Sequence, residues 1–188
     1  DVEVAFVPKG AGAIPAQVAN NAVSGGNKRG ANAVDWQTRR TSTINVASGI
    51  GSAISGGVDN RASGTYSVVG GGNVNLATAS YATVAGGFTG TASGQYSFVG
   101  GGSTNTASKS QAAVVGGLSN NATGQGAAIL GGTTNTASGT HAAVVGGNSC
   151  TADGARSFIS GYFATARGLE SSQVHASGRF NVLGDAQS

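Results

Sequence analysis

An unbroken period of fifteen residues constrains this chain more than any other feature of its sequence. From Ala47 to Ala152 an alanine recurs at every fifteenth residue, without insertion or deletion. Repetition of this kind is typical of solenoids, in which each copy forms one coil stacked on the next. Counting the alanine as position 1, the eight copies start at Ala47, Ala62, Ala77, Ala92, Ala107, Ala122, Ala137 and Ala152.

Two further positions indicate strands. Position 6 is always Ser or Ala and position 8 always Val or Ile, so the two positions share one face of a period-2 pattern, and β-branched residues favour strands. We therefore predict a strand over positions 5 to 9, such as residues 66–70, and a second short strand in each copy. Position 8 is occupied by Ile54, Val69, Val84, Val99, Val114, Ile129, Val144 and Ile159.

Glycine and asparagine mark the turns between these strands. Positions 10 and 11 are Gly-Gly in the first seven copies, whereas the eighth copy has Gly161 and Tyr162 there. Glycine accepts a positive φ, and asparagine suits a second bend because its side chain bonds to nearby backbone. The pattern predicts an all-β, parallel β-solenoid or β-roll. Asparagine occupies position 14 as Asn60, Asn75, Asn105, Asn120 and Asn135.

The composition predicts that such a solenoid associates with copies of itself. Only 39% of the residues are hydrophobic and 9% charged, and 34 of the 188 are glycine. Each coil offers little more than an alanine, a serine or alanine and a branched residue for burial, which is a thin core for fifteen ordered residues. We expect neighbouring chains to bury more of each coil.

Charge, cysteine and hydropathy argue against other classes of protein. The net charge is +3, but half of the ten basic residues precede residue 41, and the repeats lack the basic patch of a nucleic-acid-binding protein. Cys150 is the only cysteine, which predicts a small structural residue, and no apolar run reaches the roughly 20 residues of a membrane span. The early basic residues are Lys9, Lys28, Arg29, Arg39 and Arg40, of which we interpret the last four as a solvated loop rather than a ligand site.

The period divides the chain into three parts. Residues 1–46 break it and contain Pro8, Pro15 and Trp36, so we predict an N-terminal junction or cap. Residues 47–166 form the eight-coil repeat domain. Residues 167–188 are predicted to be an exit segment that leads to a further domain.

The repeat resembles the head domains of YadA-like trimeric autotransporter adhesins. The matching pieces are SVVGG at 67–71 followed by NLAT at 75–78, and AAVVG at 112–116 followed by NNATG at 120–124. The resemblance covers residues 47 to about 166, although this chain uses fifteen residues and Gly-Gly where the adhesins commonly have fourteen and one glycine. It implies a left-handed parallel β-roll and a homotrimer of identical chains.

The flanking segments are similar to those of bacteriophage and prophage tail-fibre proteins. They are GGNKRGANAVDWQT at 25–38, ASGRF at 176–180 and GDAQ at 184–187. This resemblance implies part of a tail fibre of the virion, with other tail proteins and a bacterial surface receptor or glycan as partners. The alternative is the head of a bacterial adhesin on the cell surface.

An enzyme is not expected. Phage tailspikes that hydrolyse polysaccharide use paired carboxylates roughly 5 to 9.5 Å apart. The repeats contain only Asp59 and Asp153, six coils or about 30 Å apart, while Asp35, Glu170 and Asp185 lie in the end segments, where only a pair between chains is conceivable.

Neither a metal site nor a cofactor is predicted. His141 and His175 are too few for a metal site within one chain, although a threefold axis would bring together three copies of either histidine.

Position 5 provides the candidate binding residues. Tyr66, Tyr81 and Tyr96 occupy it in successive coils, and they face outward if position 8 faces inward. Such a ladder could bind sugar rings, but it could equally stabilise neighbouring strands or fill a groove between chains. A further hypothesis, ice binding, rests on position 15, where Leu76 and Asn121 interrupt a rank formed by Thr91, Thr106, Thr136 and Thr151.

Overall fold

A computed structural model describes residues 29–176, which contain seventeen strands and no helix. All strand pairs in this part of the chain are parallel. The described residues contain no helix long and apolar enough to cross a membrane. The prediction of an all-β, parallel β-solenoid is confirmed.

The strands form two sheets, and the repeated coils contribute a strand to each. The large sheet has ten strands, in the order β1-β2-β4-β6-β8-β10-β12-β14-β16-β17, and the small sheet has seven, β3 to β15. In chain order the strands are β1 Val34–Asp35, β2 Ala53–Ile54, β3 Arg61–Ala62, β4 Val68–Val69, β5 Leu76–Ala77, β6 Thr83–Val84, β7 Thr91–Ala92, β8 Phe98–Val99, β9 Thr106–Ala107, β10 Ala113–Val114, β11 Asn121–Ala122, β12 Ala128–Ile129, β13 Thr136–Ala137, β14 Ala143–Asn148, β15 Thr151–Ala152, β16 Phe158–Tyr162 and β17 Gln173–Ala176.

The fifteen-residue period is the register of both sheets. Val68 pairs with Thr83 in the large sheet, and Ala77 pairs with Ala92 in the small sheet. Single bridges at position 12, such as Asn73 with Phe88, link successive coils along a third side. Each copy therefore lies directly on the one before it, at about 4.8 Å per coil.

The core consists of the positions that the period predicted. Positions 1 and 8 of all eight copies are fully buried, and position 6 is at most 1% exposed. The predicted strand over positions 5 to 9 is too long, however, because regular pairing in most coils covers only positions 7 and 8. The strand begins late because position 5 adopts a left-handed φ, as at Tyr66 with φ 54°, and so lies in a turn.

Asparagine at position 14 links the coils rather than forming a bend. The positive φ belongs to position 13, for example Val74 at 58°, while Asn75 itself is fully buried. The Asn75 amide donates to the carbonyl oxygens of Gly71 in its own coil and Gly87 in the next coil, both at 2.9 Å. Its Oδ1 accepts the N–H of Gly90 at 2.8 Å. The predicted local bond exists, but two of the three bonds reach the following coil.

This asparagine ladder has a start, a gap and an end. Gln37 starts it, since its Oε1 accepts the N–H of Asn60 at 2.8 Å. Gly90 interrupts it because glycine has no side-chain amide. Cys150 ends it, accepting no further bond of this kind but donating its own N–H to Asn135 Oδ1 at 2.9 Å.

Only the second glycine of each Gly-Gly pair needs to be glycine. Gly72 has φ 84°, and a Cβ atom there would lie 2.2 Å from the carbonyl oxygen of Gly87. Gly71 has no neighbour within 4 Å of such a Cβ. The turn is therefore set by position 11, and position 10 is free of this constraint.

The eighth copy is one residue shorter than the fifteen-residue period predicted. Gly161 pairs with Gly147 and Tyr162 pairs with Asn148, fourteen residues apart, after an irregularity between Val144 and Gly146. Gly161, with φ 114°, therefore takes the turn expected at position 11 rather than position 10. The fifteen-residue spacing returns where β17 pairs with β16.

Stacking also continues before residue 47. Val34 pairs with Ala53, nineteen residues later, so this coil is longer than a repeat. Asp35 stands where the repeats bury Val or Ile, and its Oδ2 lies 3.2 Å from Arg40 and accepts the N–H of Ala47 at 3.2 Å. The Arg40 side chain is only 6% exposed, so the prediction of a solvated loop is wrong for this residue.

Several predicted features lie outside the described residues. They are Pro8, Lys9, Pro15, Lys28 and Asp185, together with residues 25–28, 177–180 and 184–187 of the segments that resemble tail-fibre proteins.

Candidate functional site

The three tyrosines stand at a sharp corner of the solenoid. Tyr66, Tyr81 and Tyr96 have φ values of 54°, 60° and 59°, and the N–H of Tyr81 donates to the carbonyl oxygen of Thr65 in the preceding coil at 2.9 Å. This left-handed turn directs each side chain away from the core. The tyrosines are 53%, 46% and 54% exposed, which confirms that they face outward.

The tyrosines form one continuous stack. The ring centroids of Tyr66 and Tyr81 are 5.5 Å apart with an interplanar angle of 25°, and those of Tyr81 and Tyr96 are 5.0 Å apart with an angle of 13°. The Tyr66 ring also lies against Gly51 in the preceding coil, where a Cβ would be 2.6 Å from the ring. The stack therefore leaves little ring face free, because both faces of Tyr81 are covered by its neighbours.

This geometry changes what the ladder can bind. Sugars usually pack their apolar faces on an open aromatic face, and here the stack covers both faces of Tyr81 and one face each of Tyr66 and Tyr96. What the ladder presents instead is a row of ring edges and phenol hydroxyls, one per coil. Hydroxyls both donate and accept hydrogen bonds, so such a row suits a chain of sugar hydroxyls or another polar polymer.

The same corner becomes polar further along the rod. The ring of His141 lies over Gly126, where a Cβ would be 2.5 Å from His141 Cδ2. Arg156 follows and forms an exposed ion pair with Glu170 at 3.1 Å. Position 5 therefore runs from an aromatic stack to a charged end along one edge.

The two acidic residues of the repeats do not form a catalytic pair. Asp59 accepts bonds from the N–H and hydroxyl of Thr41 and, at 3.2 Å, from Asn45. Burial raises the pKa of Asp59, but the bonds from Thr41 and Asn45 and the charge of Arg39 outweigh it, so the pKa lies below its usual value. Asp153, at the far end of the small sheet, accepts the N–H of Gly168 at 2.8 Å. Each carboxylate holds a loop against the rod.

The histidines are also separate. His175 Nδ1 shares a hydrogen bond of 2.7 Å with Ser160 Oγ on the large sheet, whereas His141 lies at the position-5 corner. Within residues 29–176 no three potential metal ligands come together.

Cys150 is buried at position 14, where other copies have asparagine. Its Sγ lies 3.2 Å from the carbonyl oxygen of Gly161. Burial raises the pKa of this thiol, although backbone bonds to Ala164 and Asn148 oppose the shift. A raised pKa and a buried position disfavour the reactive thiolate and suit a structural residue.

The outer face of the large sheet is a second candidate surface, which the sequence analysis did not single out. Positions 7 and 9 flank the inward position 8, so their side chains point outward, and the alternation of the strand was the signal that could have found them. We call these two rows the apolar face. Its large exposed members are Val34, Trp36, Phe98, Val115, Leu130, Val145 and Phe158.

The small sheet has a contrasting outer face. Positions 15 and 2 point outward there, and hydroxyl side chains such as Thr106 and Ser108 dominate both rows. Ice binding by the threonine rank stays a prediction.

No protein-family model matches this sequence, and no curated protein matches it.

Proposed function

We propose that this chain is a rigid segment of a homotrimeric extracellular fibre, built from three identical left-handed β-rolls lying side by side. The observation that carries the proposal is the apolar face, which extends along the large sheet from Val34 on β1 to Phe158 on β16. Nine strands, with about 4.8 Å between neighbours, span roughly 38 Å, a long apolar surface for a single chain to leave in water. Association with identical chains removes it from water.

The fibre is proposed to belong to the tail of a bacteriophage and to take part in host attachment. The resemblance of the repeat to YadA-like heads and of the flanks to tail-fibre proteins supports this assignment. The implied partners are two identical chains, other tail proteins and a receptor or glycan on the bacterial surface. The alternative is the head of a bacterial trimeric adhesin, displayed on the cell surface.

The proposed role is mechanical and adhesive rather than catalytic. In support, Asp59 and Asp153 are each bonded to a loop, and they adjoin β3 and β15, the strands at opposite ends of the small sheet. The tyrosine stack is the proposed contact for glycans, through its hydroxyl edge.

The mass of residues 1–188 in solution tests the homotrimer. Light scattering after size exclusion is expected to give three chains, and electron microscopy is expected to show rods. A folded monomer would contradict the fibre proposal. Binding of the purified rod to bacterial cells, compared with binding to cells stripped of surface polysaccharide, tests its adhesive part.

A further inference from the structure

The apolar face carries a pattern of side-chain sizes that specifies how two chains meet. Between Ala53 and Ser160, no coil has a large side chain at both position 7 and position 9. Phe98 at position 7 is accompanied by Gly100, whereas Leu130 at position 9 is accompanied by Ala128. The coils with one large and one small member are Val68/Gly70, Phe98/Gly100, Ala113/Val115, Ala128/Leu130, Ala143/Val145 and Phe158/Ser160.

We propose that position 7 of one chain packs against position 9 of an identical chain, in register and coil for coil. This inference rests on the proposed homotrimer and adds its contact surface and alignment. When identical parallel rods surround an axis along their length, each contact is heterologous, so one row of a chain meets the other row of its neighbour at the same level. Each large side chain then faces a small one.

An antiparallel arrangement does not have this property. With a twofold axis perpendicular to the rod, each coil would lie opposite a different coil of the other chain. Large residues such as Phe98 and Leu130 would then no longer face the small residue of the same coil. Because the small partner always lies in the same coil as the large residue, the size pattern favours the parallel, in-register arrangement.

Charge and extent are consistent with burial of this face against a second copy. Among the described residues, positions 7 and 9 of the large sheet carry no Lys, Arg, Asp or Glu from Val34 to His175. With two outward positions in each of ten strands, each chain of a trimer buries twenty residues, ten against each of its two neighbours. Exposed sheet surfaces that stay in water usually carry charges, which this face lacks.

A pair of variants tests both the surface and the alignment. Ala128→Phe places a second large side chain beside Leu130, and the fold accommodates phenylalanine at this position, as Phe98 and Phe158 show. We expect at least tenfold weaker association with unchanged far-ultraviolet circular dichroism. Adding Leu130→Ala moves the bulk from one row to the other within the same coil. The double variant is expected to recover association to within a few-fold of the natural chain.

Thr136→Phe is the matched control, because it adds the same ring to the outer face of the small sheet. Its mass in solution is expected to equal that of the natural chain. An unchanged mass for Ala128→Phe would overturn the proposed surface, and failure of the double variant to recover would overturn the in-register alignment. If the natural chain is a monomer, the proposed homotrimer itself is wrong. If the natural chain is a trimer and only Thr136→Phe disrupts it, the homotrimer is correct but its contact surface is the small sheet.

Discussion

Asn75 Oδ1 accepts the N–H of Gly90 at 2.8 Å, and the asparagine ladder stops at that bond because Gly90 has no side chain to extend it. The N–H of Asn105 in the next coil consequently has no side-chain oxygen at residue 90 to accept it, unlike the N–H of Asn120, which Asn105 accepts at 2.9 Å.

Filling this gap is expected to stabilise the rod. Gly90→Asn would supply an acceptor for Asn105 and two donors for glycine carbonyl oxygens. A Cβ there would lie 3.0 to 3.3 Å from the side chains of Asn75, Val84 and Val99, and asparagine occupies the equivalent position of the coil on either side. We expect a gain of about 1 to 2 kcal/mol, measured by urea unfolding. A lower stability would mean that this coil differs from the others around residue 90.

Removing a ladder residue is expected to have the opposite effect. Asn120→Ala deletes bonds to Gly116 and Gly132, both 2.9 Å, and leaves the buried N–H of Asn135 without its acceptor. The expected loss is about 3 kcal/mol. The adjacent Asn121 points outward from the small sheet, so Asn121→Ala should change stability by less than about 0.5 kcal/mol. Equal effects would contradict the ladder's role.

The two glycines of one turn should respond differently to the same substitution. Gly72→Ala forces a Cβ into the carbonyl oxygen of Gly87 and a left-handed φ onto alanine, with an expected loss of at least about 2 kcal/mol. Gly71→Ala meets nothing within 4 Å and should be neutral or slightly stabilising. Thermal unfolding of the two variants side by side measures the difference.

The tyrosine stack allows packing and binding to be separated. Tyr81→Ala removes two ring contacts and Tyr96→Ala one, so losses of about 1 to 3 and 0.5 to 1.5 kcal/mol are expected. Changing Tyr66, Tyr81 and Tyr96 together to Phe keeps the rings but removes the hydroxyls. This triple variant is expected to remain stable and to bind bacterial cells less well. Unchanged binding would contradict the proposed hydroxyl contact.

The coil that precedes the repeats, which contains β1 and Trp36, is expected to detach in acid before the repeats unfold. The pKa of Asp59 is lower in the folded chain than its ordinary value of about 3.9. Its stabilisation is therefore complete above that ordinary value and is lost as the pH falls through the folded pKa. Fluorescence of Trp36, the only tryptophan, reports on this coil. Asp59→Asn should flatten the acid transition, whereas Asp153→Asn at the other end should leave the Trp36 signal unchanged.

The sequence predicted the fold class and the core better than it predicted the local turns. The burial of Val114 could be predicted because the same residue type recurs at position 8 of every copy, which indicates that this position faces the core. The start of the strand was misplaced because a left-handed φ is uncommon for a residue like Tyr66. The one-residue shortening before Gly161 was missed because it lies after Ile159, the last of the positions that define the period; its trace in the sequence is Gly161-Tyr162 in place of Gly-Gly.

The candidate site could be located but not characterised from the sequence. Alternation about position 8 placed Tyr66, Tyr81 and Tyr96 on the outside, as the structure shows. The ring faces cover one another because of the spacing of adjacent coils and the direction of the side chains. Neither could be predicted from the sequence. The role of Asn75 was hidden for the same reason, since its partners in the next coil are twelve and fifteen residues away.

Because the register of the repeats is constant, the length of the rod is set by the number of repeats that the gene encodes. Between β2 and β14, each strand of the large sheet pairs with strands fifteen residues before and after it, so no coil depends on a distant part of the chain. Duplication or loss of one fifteen-residue unit of coding sequence would lengthen or shorten the rod by about 4.8 Å while leaving every remaining junction of the same kind. Reach can thus evolve by recombination between copies, one coil at a time.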